Sequence, residues 1–148
     1  MAGVGFKAVT AEISTGTSKK TLLQVVAAAN HAVMLNEISI SFKGTVNTNA
    51  PILVEIARQT TAGTMSSLTP VKDPDDSDET LQVTAQHTAT AEPTEGDVIM
   101  RELVHPQTGF IWQAPFGKDI KIGGGDRLGI AVTAANDVNA VARVVGEE

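Results

Sequence analysis

Residues 36–43 alternate without a break: Ile38, Ile40 and Phe42 fall on one side of an extended chain, and Glu37, Ser39, Ser41 and Lys43 on the other. A period of two predicts a half-buried β-strand. Residues 52–58 repeat the pattern with Ile52, Val54 and Ile56 inward, so the two segments predict a hairpin or two neighbours in a sandwich. The last third carries apolar runs at 110–114, 118–122, 127–133 and 138–145, punctuated by Pro115-Phe-Gly117 and Gly123-Gly-Gly-Asp126. Short runs bounded by turn formers predict antiparallel strands. Residues 97–105 add another, closed by the turn Pro106-Gln-Thr-Gly109.

The remaining segments are less regular. Residues 7–13 alternate weakly and predict a first strand that ends in the Thr/Ser loop 14–18. Residues 21–29 admit the start of a helix, with 27–30 open between the two, but the β-branched pair and short length favour a strand. The run Leu22, Leu23, Val25, Val26 hardly alternates, which predicts cover on both faces, with another subunit as a candidate for the second cover. Residues 59–95 are polar with isolated apolar positions, a long excursion in which 80–85 reads as a short edge strand. Eight to ten short strands and no helix predict an all-β fold, an antiparallel, jelly-roll-like β-sandwich. The expected organisation is an N-terminal arm over residues 1–20, able to bind a partner, and one sandwich domain over 21–148 with the excursion at 59–96.

Composition narrows the function. A chain of 148 residues buries enough surface to fold without a staple, and with no cysteine it has neither disulfides nor thiolate chemistry. The net charge is −6, and the eleven Lys and Arg are dispersed, which argues against a nucleic-acid partner. One Trp, four Phe and no Tyr leave little for stacking bases or lining a sugar or drug-sized pocket. No apolar run reaches the roughly 20 residues of a membrane-spanning helix, and the first residues lack the parts of a secretory signal. The expectation is a protein made in the cytoplasm, with no membrane partner and no small-molecule substrate.

Candidate chemistry is sparse. The acidic stretch Asp73-Pro-Asp-Asp-Ser-Asp-Glu79 offers hard oxygen ligands for calcium, but it lacks the residue order of an EF-hand, and Pro74 restricts wrapping. Gly123-Gly-Gly-Asp126 is not followed by Lys-Ser/Thr, so it reads as a strand-connecting turn rather than a phosphate loop. His31, His87 and His105 are too far apart in sequence for a local metal pair and read as surface or turn residues. No Gly-x-Ser-x-Gly elbow occurs, and no carboxylates pair at recognisable spacing. The reading is therefore not an enzyme, with no catalytic residue, metal or cofactor. The candidate interface residues are Phe6 and Val9 in the arm, Leu22 and Leu23 in the non-alternating run, and Trp112 and Phe116 beside the proline turn. Trp112 reads first as core packing, with a subunit interface that buries it as an anchor the alternative.

The segment Ile120-Lys-Ile-Gly-Gly-Gly-Asp-Arg-Leu-Gly-Ile-Ala-Val132 resembles the penultimate turn of jelly-roll domains of the tumour-necrosis-factor and complement-C1q type, with Gly125-Asp126 matching the dipeptide and Leu128, Ile130 and Val132 the strand after it. In size, lack of cysteine and Thr/Ala/Val-rich composition the chain also resembles the head decoration (cement) proteins of tailed bacteriophages. These resemblances imply a virion structural protein on the outer capsid surface. Its partners would be the major capsid protein and itself as a homotrimer. The alternative they imply is a carbohydrate- or receptor-binding jelly-roll module of a phage fibre or tail, using the 59–95 excursion. The chain departs from jelly-roll trimers in having few aromatics, and its N-terminal third matches no motif.

Overall fold

The computed structural model describes residues 3–43, 50–73 and 78–148, which form thirteen strands and no helix. They are β1 (Gly5–Val9), β2 (Ile13–Ser14), β3 (Lys20–Val26), β4 (Val33–Lys43), β5 (Ile52–Gln59), β6 (Thr64–Leu68), β7 (Val71–Lys72), β8 (Thr84–Ala91), β9 (Glu95–Val104), β10 (Phe110–Gln113), β11 (Ile120–Ile122), β12 (Arg127–Thr133) and β13 (Asn139–Glu147). All pair antiparallel in two sheets. The first runs β10-β4-β13-β1-β7, with β11 continuing β10 along β4 and β2 beside β13; the second runs β6-β8-β3-β12-β5-β9. The chain crosses between the layers from β3 to β4 to β5 and again from β9 through β10 and β12 to β13, with β5 and β9 paired in the second sheet, so the antiparallel β-sandwich read from the sequence holds. The count exceeds eight to ten because β2, β7 and β11 are two or three residues long and β6 and β8 carry almost no apolar signal.

The core lies between the sheets. Ile38 and Ile40 of β4, with Ala142 and Val144 beside them on β13, face Val54 and Ile56 of β5 and Leu128, Ile130 and Val132 of β12 across the core, all buried. Alternation in the sequence put these residues inward, and the ladders confirm it: Ile40 pairs with Ala142, Ile38 with Val144, and Ile56 with Ile130.

Three expectations need correction. First, the described part of the expected arm, residues 3–20, is built into the domain. β1 lies between β13 and β7, Phe6, Ala8 and Ile13 are buried, and the core runs continuously from Phe6 to Val144. On either side of β2 the hydroxyls of Thr10 and Thr15 accept hydrogen bonds from Ala142 N–H at 3.1 Å and Val138 N–H at 3.2 Å, holding the segment to β13 where the ladder is interrupted. Second, Leu22 and Leu23 are core residues. The register of β3 against β12 shifts by one between Leu23↔Ile130 and Thr21↔Ala131, leaving Leu22 extra. A bulge of this kind lets neighbouring side chains share a face, and both leucines are fully buried in the core. The second cover on β3 comes from this chain's own 60–63 and 92–94 segments and needs no other subunit: Glu92 accepts from Thr21 N–H at 2.9 Å and from its hydroxyl at 2.6 Å. Third, the edge strand read at 80–85 begins at Thr84 and is interior, paired with β3 on one side and β6 on the other.

Candidate functional site

The outer face of the first sheet is built by the residues that alternate with the core. Arg143 of β13 pairs with Ser39 of β4 and Val9 of β1, and Ser39 pairs with Ile111 of β10. The next row runs Gln113, Glu37, Val145, Lys7, Val71 across all five strands of the path. Three apolar side chains stand out on this face, Val9 (50% exposed), Val71 (58%) and Ile111 (63%). Around them Arg143 is paired with Glu37 at 2.8 Å and Lys7 with Asp73 at 2.6 Å, so neighbouring charges are largely neutralised within the face. Such a surface, apolar points among paired charges, suits contact with another protein.

Of the candidate interface residues, Phe6, Leu22 and Leu23 are buried in the core and present nothing to a partner. Val9 lies on the outer face just described. Trp112 pairs with Ile38 on the inner side of β10 and packs, partly buried, against the core. Phe116 is the opposite extreme. It is fully exposed at the tip of the loop between β10 and β11, where Lys118 N–H donates to the Pro115 carbonyl at 2.8 Å and Gly117 takes a φ of +75°. That positive φ needs glycine, and the closed turn holds Phe116 outward.

A cavity of about 490 Å³ opens at the other side of the sandwich, where the edges of the two sheets meet. Leu68, Pro70, Leu81 and Val83 give it apolar walls, with the hydroxyls of Ser67, Thr69, Thr80 and Thr84 at intervals. Sequence reasoning missed it because its walls come from the polar excursion, whose few apolar residues gather only in three dimensions.

The outer face of the second sheet is polar and covered. Gln24 donates to Gln59 Oε1 at 2.6 Å, Gln59 donates to Thr21 Oγ1 at 3.1 Å, and Arg127 donates to Gln24 Oε1 at 3.3 Å. Beside this chain Glu55, buried, accepts from Arg101 at 2.8 Å and lies 3.4 Å from Lys19, which also pairs with Glu95. Burial opposes ionisation of Glu55, but the Arg101 hydrogen bond and the charge of Lys19 outweigh it and hold its carboxyl below the usual carboxylate range. A depressed carboxylate contributes stability that is present above its unfolded pKa and lost as pH falls through the folded one. We therefore expect Glu55→Gln to cost about 1 kcal/mol at neutral pH, a modest figure because Arg101 and Lys19 both reach solvent. The deficit should shrink below about pH 4.3, seen as converging urea midpoints of variant and parent; a deficit constant from pH 7 to 3 would contradict it.

The remaining candidates do not assemble into chemistry. His105 Nδ1 accepts from Gln107 N–H in the turn that ends β9, and His87 contacts Thr88 within β8. Among the described residues no three His, Asp or Glu side chains converge as metal ligands would. Residues 74–77 of the acidic stretch lie outside the described residues, and so does the reading of that stretch as a calcium site. Gly123–Asp126 is a strand connection: Asp126 N–H donates to the Gly123 carbonyl at 2.9 Å, and Gly125 N–H donates to the carbonyls of Ala27 and Ala28. Comparison with protein-family models, with curated proteins and with solved structures finds no match to this chain.

Proposed function

We propose that this chain is a virion structural protein, a capsid decoration protein that binds the outside of a phage head as a homotrimer and stabilises it. The observation that carries this reading is the outer face of the first sheet, with Val9, Val71 and Ile111 exposed across its five paired strands. Its size favours a multimer. Four strand spacings by five residues make a contact of roughly 19 by 17 Å, so one copy with its partner's matching area buries about 650 Å², short of the roughly 1,200 Å² of a stable interface. Three linked copies exceed that figure and add their binding through avidity. Contacts of this kind across capsomer junctions resist separation of shell subunits under internal pressure. The reading no longer relies on an N-terminal arm, since β1 is occupied on both sides.

The test is co-sedimentation with undecorated shells of the virus whose genome carries the gene. Val9→Glu with Ile111→Glu should leave the fold intact and weaken shell binding at least a hundredfold; unchanged binding by that variant would remove the outer face from the account. A second reading, the carbohydrate- or receptor-binding module, is favoured by the hydroxyl-bearing cavity in the 59–95 excursion. Saturable glycan binding without shell binding would select it.

A further inference from the structure

The outer face of the first sheet is electrically neutral, although the chain is not. Three ion pairs lie on it or at its margin: Arg143 with Glu37 at 2.8 Å, Lys7 with Asp73 at 2.6 Å and Lys43 with Glu12 at 3.3 Å. One further row crosses it, in which Lys121 of β11 pairs with Met34 of β4 and Met34 with Glu147 of β13. Ile120, Ile122 and Leu35, which alternate with that row, are buried, so Lys121, Met34 and Glu147 turn outward. Lys121 and Glu147 thus stand two strand spacings apart, roughly 10 Å, within reach of one another's charge. Counting the outward positions of the strands with the partners of their ion pairs, the face holds four cations and four anions. Among the other described residues eleven acids stand against seven bases, a net charge of −4. That acidic remainder repels acidic surfaces, further copies of the chain included, and the neutral face does not.

We propose that the patch of shell this face meets is apolar and uncharged, so that the contact is carried by removal of aliphatic side chains from water and not by ion pairs. This names the chemistry of the partner at the same face and rests on the shell contact of the proposed function. Between the charges the face is aliphatic: Val141 and Val145 of β13 and Met34 of β4 are partly buried, and Val9, Val71 and Ile111 stand exposed. Six of the eight charges are already held in ion pairs within the chain. A charged partner would have to compete for them, and each pair broken leaves a charge to be desolvated alone. A neutral apolar partner leaves every pair intact. Encounter is then unsteered, with an association rate of about 10⁵–10⁶ M⁻¹s⁻¹ and little dependence on salt.

The test is the affinity of the parent and of charge variants for undecorated shells across a range of salt. Parent binding should change less than about twofold between roughly 50 and 500 mM NaCl, where a contact made by opposite charges weakens at least about tenfold. Glu37→Gln leaves Arg143 without its counter-charge and should weaken binding about fivefold or more. Exchanging the pair, Glu37→Arg with Arg143→Glu, should restore it to within about twofold of the parent, because a neutral surface does not read the direction of the pair. Lys7→Asp with Asp73→Lys repeats the exchange at two half-exposed positions, where the fold is least strained. A tenfold loss with salt, an exchange that binds no better than Glu37→Gln, or a Glu37→Gln protein that binds like the parent overturns the neutral contact and leaves shell binding standing. A parent that binds no shell at any salt overturns the shell reading and this inference together. A face-to-face dimer formed without shells and dissolved by Val9→Glu with Ile111→Glu gives the face to a second copy and overturns the inference as well.

Discussion

Deleting residues 1–14 should leave a chain that does not hold a native fold at 25 °C. The segment supplies Phe6, Ala8 and Ile13 to the core, and Phe6 is stacked so closely on β13 that a Cβ at Gly146 would lie 3.2 Å from its ring. Truncating one buried Phe to Ala costs about 3–5 kcal/mol and one buried Ile about 2–5. Removing both, with the β1 ladder, is comparable to the whole stability of a domain, about 5–15 kcal/mol. The deletion also leaves the β13 backbone groups that turn toward β1 between Arg143 and Glu147 without partners, and takes away the Thr10 hydroxyl that satisfies Ala142. Trp112 emission at the unfolded position and a lost β signal in circular dichroism are expected. A deletion variant that unfolds cooperatively near the parent's midpoint would show that the N-terminal segment is an appendage after all.

Gly129→Val should be the most damaging single substitution on the outer face of the second sheet. Gly129 pairs with Gln24 and Ala57, and any Cβ there overlaps the side-chain amide of Gln59. Gln59 is a flexible residue in principle, but here it is buried, receives a hydrogen bond from Gln24 and donates one to Thr21. Moving it away strands buried polar groups at about 1–3 kcal/mol, on top of about 1–3 kcal/mol for overpacking. A loss of roughly 3–5 kcal/mol lowers the melting midpoint by about 10–15 °C in a chain of this length. The mechanism has a sharper readout in a double-mutant cycle. Gly129→Ala and Gln59→Ala should couple, with the double variant more stable than the sum of the singles predicts, because the second change vacates the space the first needs. Additive losses would mean that some other neighbour resists the substitution.

Strands whose residues face a core on one side and water on the other were legible in the sequence. β4 and β5 are the clearest cases, since Ile38, Ile40, Val54 and Ile56 keep their period wherever the partner strands lie. The Gly123–Asp126 and Pro106–Gly109 turns were legible for a related reason, because backbone geometry there depends on local residues. What could not be read were features created by register. The bulge at Leu22 made a non-alternating run look like a surface awaiting a second subunit, while Gln24 and Thr21 turned toward polar partners supplied by residues 35 to 71 positions away. β8 was displaced because its buried residues are alanines, too small to mark a periodicity, and pairing with β3 and β6 defines it instead. One signal was available and went unread: a glycine inside an otherwise apolar strand often marks close approach of another group, and Gly129 in β12 marks the Gln59 amide. Phe116 was singled out from sequence for its place beside Pro115, but its full exposure at the loop tip follows from the turn closed between Pro115 and Lys118.

Electron cryo-microscopy of undecorated shells incubated with the purified protein addresses the central claim most directly. The account predicts threefold density on the shell exterior at junctions between capsomers, with the face bearing Val9, Val71 and Ile111 turned toward the shell. Shells that remain bare at saturating protein, or density that meets the shell through the opposite sheet, would contradict it.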